Sequence, residues 1–184
     1  TQYLKNAEER ARPFFDLLNR VPPLDARTIA DLGCGPGYLT RTLAERWPAA
    51  RVVGVDSSAE MLEQARAHTL PGRLEFVQAD LRAWSPARPL DLIVSNAALQ
   101  WVADHDVLLP RFASLLSNSG MLAIQMPYHF NDPSHQAIQA VKEDPRWSAV
   151  LKDIGLNHGS VMSLAWYVER LHQLCFQVDA WQTT

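Results

Sequence analysis

Cysteine is scarce. Cys34 and Cys175 are the two in 184 residues, too few for the disulfide framework of a small secreted domain. Neither has a Cys or His partner at zinc-finger spacing, and the six histidines include no pair four residues apart. No metal site is expected. Basic charge is short as well: 17 Lys and Arg against 20 Asp and Glu leave a net charge of −3. That balance lacks the basic face of a polyanion binder, so no nucleic-acid partner is expected. The stretch 112–131 carries no Asp, Glu, Lys or Arg, yet Ser117, Asn118, Ser119 and Gly120 interrupt its middle and Pro127 follows. We read it as a turn into a strand and expect no membrane partner. The opening residues show no signal-peptide pattern, from which a cytoplasmic protein is expected.

What is present is ordinary in bulk and informative in order. A chain of this length with 47% hydrophobic and 20% charged residues suits one globular domain. Short β-branched apolar runs at 28–32, 51–55, 74–78, 90–95 and 121–126 predict strands. Helical patterns separate them. Leu39, Leu43 and Trp47 share one helix face, and Leu108, Leu109, Phe112, Leu115 and Leu116 stripe another. Ser57 with Glu60 reads as a capping box for a helix burying Met61, Leu62 and Ala65. Strands alternating with helices predict an α/β fold, a doubly wound and mostly parallel sheet whose ligands lie beyond the carboxyl ends of the strands. We expect one domain with three parts. Residues 1–21 form an N-terminal helical segment, with Phe14, Phe15, Leu17 and Leu18 inward and Pro13 at a helix start. Residues 27–127 form the cofactor-binding core, and 128–176 a lid that faces substrate. Residues 177–184 read as the start of a further strand.

The loop after the first strand selects the ligand class. Asp31-Leu32-Gly33-Cys34-Gly35-Pro36-Gly37 lets the backbone approach a ligand closely, because glycine has no Cβ. A nicotinamide fingerprint needs its third glycine at the sixth position, where Tyr38 stands instead. Pro36 also removes an amide donor from any pyrophosphate cradle. A P-loop fails too, since no Lys-Ser or Lys-Thr follows.

The acidic-x-Gly-x-Gly-x-Gly pattern resembles the first motif of class I methyltransferases, which are Rossmann-like and bind S-adenosyl-L-methionine. The resemblance implies that Asp31 neighbours the methionine end of that cofactor, while Gly33, Gly35 and Gly37 pass under its sugar. Asp56 ends the second strand, where a carboxylate accepts both ribose hydroxyls. Asp80-Leu81 matches the position that meets adenine, Ser57 and Met61 complete the adenine wall, and Asn96 lies near the reacting methyl. Longer runs resemble the trans-aconitate methyltransferase family: Glu9-Arg10-Ala11-Arg12-Pro13, Glu45-Arg46-Trp47-Pro48, Asn96-Ala97-Ala98-Leu99-Gln100-Trp101 and Trp181-Gln182-Thr183-Thr184. The chain departs from that family in having Tyr38-Leu39 where the family has a polar Asn-Ser pair.

This resemblance implies methyl transfer to a carboxylate of a small polycarboxylic acid such as trans-aconitate, giving a monomethyl ester. No catalytic acid or base is expected. The sulfonium methyl is already activated, and an acceptor carboxylate with a pKa near ~4 is ionised at neutral pH. An anionic substrate needs donors, and both lid-like segments offer them: Arg10, Arg12, Tyr128, His129, Trp166, Tyr167 and Arg170. Of these Arg10, Tyr128 and His129, with Gln100 and Trp101 beside Asn96, are the substrate-facing candidates. Two alternatives stand beside this reading. One is a methyltransferase for another small acid or a phenol, and the other is a non-catalytic module that binds S-adenosylmethionine.

Overall fold

The computed structural model describes residues 7–128, 133–151 and 161–183. Five strands form one sheet: β1 (Thr28–Leu32), β2 (Arg51–Asp56), β3 (Leu74–Gln78), β4 (Leu90–Asn96) and β5 (Leu116–Gln125). Their order is β3-β2-β1-β4-β5, and every neighbouring pair is parallel. The chain runs outward from β1 to β3, then returns to place β4 on the other side of β1. The crevice opens where the order reverses, beyond the carboxyl ends of β1 and β4.

Helices cover both faces, which is why the strand sequences are apolar runs rather than alternating ones. On one face α1 (Ala7–Arg20) and α2 (Tyr38–Arg46), with Trp47 at the C-cap of α2, bury Phe14, Leu18, Leu43 and Trp47 against Ile29, Val52 and Leu92. On the other, α4 (His105–Leu115) sets Leu108 and Phe112 against Ala30, Leu32 and Ile93. Successive residues of β1 and β4 go to opposite cores, as a pleated strand requires. A smaller cluster of Cys34, Leu62, Ala65 and Phe76 seats α3 (Ala59–Ala65) beside β3. Past the sheet come α5 (Pro133–Glu143), α6 (Ser148–Leu151) and α7 (Leu164–Gln173).

Five expectations change. The polar run 117–120 is not a turn before β5 but a bulge within it. Leu90 pairs with Leu116 and Leu92 with Met121, so residues 117–120 all stand opposite Asp91. Asp91 turns that irregularity into an anchor, accepting from the backbone N–H of Arg27 (2.8 Å) and Thr28 (3.1 Å) and from the Ser117 hydroxyl (3.2 Å). The α3 cap is Ser58 rather than Ser57: its hydroxyl accepts the Met61 N–H at 3.3 Å, while Asp56 accepts the Ser58 N–H at 2.9 Å. Pro13 lies inside α1 rather than at its start, and Phe15 is half-exposed while Phe14 is buried. Residues 177–183 form no strand. They fold back on α1 instead, with Trp181 against the core and under the Arg20 guanidinium at 4.2 Å, and Asp179 paired with Arg20 at 3.0 Å.

Candidate active site

A cleft of about 710 Å³ occupies the crevice. Its floor is the glycine loop, which hydrogen bonds weld to the end of β2. The Val55 carbonyl accepts from both Gly33 (2.8 Å) and Cys34 (3.1 Å). Asp56 is the hub of this rim: Oδ2 accepts the Gly35 N–H at 2.8 Å, and Oδ1 accepts Ser58. Each oxygen still has a lone pair for a further donor. Gly33 and Gly35 have φ of +82° and +54°. A Cβ at Gly33 would lie 2.2 Å from the Ala98 Cβ, whereas one at Gly35 would meet nothing within 4 Å. Gly33 is therefore required by packing, and Gly35 leaves its space to the cleft.

Three carboxylates face this space, set by the ends of successive strands. Asp31 is buried and accepts the Thr40 hydroxyl at 2.6 Å. Burial pushes its carboxyl up to about 6, the Thr40 bond pulls it partly back, and the charge of Asp56 adds to the rise. Asp80 is held below the usual carboxylate range by the side chain and backbone N–H of Arg82. Oδ1 takes the Arg82 N–H (2.8 Å) and Nε (3.0 Å), and Oδ2 takes Nε (2.9 Å) and Nη2 (2.5 Å). Burial pushes the Cys34 thiol far up, so it stays protonated and fills space rather than acting as a nucleophile.

The far wall comes from the ends of β4 and β5. Asn96 and Gln125 are register partners, and both line the cleft. Among the described residues, the buried Asn96 Oδ1 and Gln125 Oε1 have no hydrogen-bond partner. Orphaned buried oxygens are costly, and a donor-bearing ligand would satisfy them. Beyond Asn96, Ala97 (φ +51°) and Ala98 lead into a short 3-10 turn, Leu99–Trp101, with Trp101 70% exposed at the rim.

Of the residues singled out in the sequence, Asp31, Gly33, Gly35, Asp56, Ser57, Met61, Asp80, Leu81, Asn96 and Trp101 line this cleft. Gly37, Gln100 and Tyr128 are not among its lining. Gly37 faces the core, where a Cβ would lie 2.7 Å from Phe76, and Gln100 donates to the Ala97 carbonyl at 2.7 Å. His129 and the Arg10 side chain lie outside the described residues. Arg12 pairs with Asp16 at the surface, and Arg170 with Asp106. Sequence reasoning missed Pro13, Phe14, Tyr38, Arg82 and Gln125, all of which line the cleft. The strand-end rule could have found Gln125. Nothing local marks Pro13 or Phe14, which arrive through the packing of α1.

The cleft fits S-adenosylmethionine: excess negative charge for a sulfonium cation, a side-chain-free floor at Gly35, spare lone pairs on Asp56 and two orphaned amide oxygens. Residues 29–120 match the methyltransferase domain family. With that match, fold and cleft together define an S-adenosylmethionine-dependent methyltransferase. The chain is 49% identical to trans-aconitate 2-methyltransferase of Streptomyces avermitilis, covering 100% of this chain and 71% of that protein. Against the enzyme of the same name from an Azoarcus species it is 52% identical, covering 100% and 70%. The chain belongs to the trans-aconitate 2-methyltransferase family. Among solved structures it is similar to the methyltransferase in complex with the Haloferax volcanii Trm112 methyltransferase activator, with a TM-score of 0.71 and 25% identity over 92% of this chain and 70% of that one. It shares its fold with the plantazolicin methyltransferase BpumL in complex with S-adenosylhomocysteine, at a TM-score of 0.61 and 20% identity over 92% of this chain and 68% of that one.

Proposed function

We propose that the protein methylates one carboxylate of a small polycarboxylic acid, trans-aconitate being the first candidate, to give a monomethyl ester. The observation that carries this reading is 49–52% identity, along the whole chain, to relatives that bear that name.

Bound S-adenosylmethionine supplies an electrophilic methyl on a cationic sulfur. The chain's own task is alignment. Asp56 holds the ribose through the lone pairs left after its bonds to Gly35 and Ser58. Asp80 and Leu81 meet adenine, with Ser57 and Met61 along the same wall, and the Asp31 charge favours the cationic methionine end. Asn96 and Gln125 orient the groups around the methyl, and Trp101 walls the acceptor side. No side chain has to remove a proton, because the acceptor is already ionised. Arg10, Tyr128 and His129 belong to the segments 1–21 and 128–176, which in this reading close over the acid and supply its donors. Pro13 and Phe14 of the first segment, and Pro127 immediately before the second, line the cleft and support that placement.

Free Cys34 and Cys175 and the net charge of −3 support a cytoplasmic setting and a small-molecule partner rather than nucleic acid. Among the described residues no helix is long and apolar enough to cross a membrane.

The test is a methyl-transfer assay on a panel of di- and tricarboxylates, monocarboxylates and phenols. Trans-aconitate is expected to lead the panel in kcat/KM. An ionised acceptor gives no rising limb in kcat/KM between about pH 6.5 and 9, whereas a phenol would require loss of a proton there. Turnover of a phenol without turnover of any polycarboxylate would sink the substrate proposal and leave the methyltransferase class intact.

A further inference from the structure

We infer that His105 and Tyr167 are positioning residues: a buried hydrogen-bonded clamp between them ties α7 to the turn after β4 and so holds the acceptor-side wall of the cleft. The inference rests on the reading above that this wall faces the acceptor.

His105 opens α4 and is 4% exposed; Tyr167 sits on α7 and is 9% exposed. Neither lines the cleft. His105 Nε2 lies 3.0 Å from the Leu99 carbonyl, and Nδ1 lies 2.5 Å from the Tyr167 hydroxyl. A carbonyl only accepts, so Nε2 carries the proton. With its one N–H on Nε2, the ring leaves Nδ1 to accept from the Tyr167 hydroxyl, which also lies 3.8 Å from a weaker acceptor, Met126 Sδ. The Tyr167 oxygen in turn accepts the Met162 N–H at 3.2 Å. Burial raises the Tyr167 phenol, which keeps its proton in place.

What the clamp holds is strained. Between Asn96 and His105, Ala97 and Asp104 both have positive φ, +51° and +61°. Non-glycine residues adopt that region at a cost, and keep it when their surroundings over-determine it. His105 reaches back to fix the Leu99 carbonyl in the middle of this segment. Ala97, Ala98, Trp101 and Val102 of the same segment line the cleft, and Ala98 closes over Gly33. A second grip comes from Arg170, whose guanidinium donates to the Asp106 carbonyl at 3.2 Å and lies 3.7 Å from its carboxylate. Thus α7 holds the first turn of α4 at consecutive residues. An apolar residue at 105 would fill the space but would leave the turn untied.

Tyr167→Phe removes the hydroxyl and keeps the ring. His105→Gln keeps a donor for Leu99, whereas His105→Leu removes both bonds. For Tyr167→Phe we expect KM for trans-aconitate to rise at least fivefold, with the Kd for S-adenosylhomocysteine changing less than twofold. Amide exchange over residues 97–104 should quicken in Tyr167→Phe and His105→Leu, and His105→Gln should restore part of the protection. An acceptor KM and a cofactor Kd that shift together, in step with lost Tm, would make the pair merely structural and overturn the proposal. So would unchanged exchange over 97–104 in Tyr167→Phe. If the wild-type protein methylates no polycarboxylate, the substrate reading fails on its own, while the exchange measurement still decides whether the clamp exists.

Discussion

Two glycines in one loop answer to different neighbours, and single substitutions should separate them. At Gly33 a Cβ collides with Ala98, and the backbone is left-handed. Overpacking costs about 1–3 kcal/mol, and an L-residue at that φ adds about 1–2 kcal/mol. Gly33→Ala should therefore lose stability well beyond Gly35→Ala, which bears the backbone cost alone because its Cβ enters open space. Binding should respond in the other order. Gly35→Val intrudes on the cleft and should abolish detectable affinity for S-adenosylhomocysteine in a folded protein. Urea denaturation and calorimetry on these variants check both halves, and equal stability of the two alanine variants would count against the Ala98 contact. Arg82 makes a second case at this scale. It saturates the lone pairs of Asp80, yet the pair is exposed (64% and 42%) and solvent-screened, so it adds little to stability. If adenine's amine uses Asp80, Arg82 competes with it. Arg82→Met should then tighten cofactor-product binding by up to roughly fivefold, and weaker binding would mean that Arg82 itself faces the ligand.

At the scale of elements, Asp91 shows how one side chain stitches three strands. It stands opposite the β5 bulge and accepts from the start of β1. Burial alone would raise its carboxyl, but the donors from Arg27, Thr28 and Ser117 outweigh it and hold the group below its usual range. A depressed carboxyl stabilises the fold above its unfolded pKa of about 3.9. That contribution is lost as pH falls through the folded value. Asp91→Asn should cost about 1–2 kcal/mol at pH 7, with the gap to wild type steady down to pH 5 and shrinking below 4. A gap that persists to pH 3 would mean that shape rather than charge matters there. The same element explains what was legible beforehand. β1 and β3 can be read at their observed bounds because both are short apolar runs ended by a polar or glycine residue. The β5 bulge cannot, because Ser117, Asn118, Ser119 and Gly120 look like a turn until Asp91 is placed opposite them. The strand-end carboxylates and the glycine loop were readable for a topological reason, since parallel sheets put ligands there. Phe14 against the cleft, and His105 against Tyr167 across 62 residues, depend on which helix docks where. No local periodicity encodes that.

For the whole molecule, Asp31 places stability and ligand binding in opposition. Its carboxyl sits under the sheet's carboxyl end with Thr40 as partner and Asp56 as a neighbouring charge. A rise from 3.8 to about 6 corresponds to roughly 3 kcal/mol of disfavoured ionisation at neutral pH. The folded pKa is raised, so the favourable contribution is complete below the unfolded pKa and is lost as pH climbs through 6. Asp31→Asn is neutral throughout and still offers an oxygen to the Thr40 hydroxyl. The ligand-free variant should therefore exceed wild type in stability by up to about 3 kcal/mol at pH 7.5; the gap should narrow to about half of that at pH 5 and close only toward about pH 4, near the unfolded pKa. Binding should run the other way, because a sulfonium cation favours the ionised form. Near pH 6 wild type should release a proton on binding S-adenosylmethionine, seen as a buffer-dependent calorimetric enthalpy, while the variant should bind more weakly and release none. A variant no more stable than wild type at pH 7.5 would mean that the Asp31 charge is solvated after all. The cleft would then bind its cofactor without the fold having given up stability to keep that charge in place.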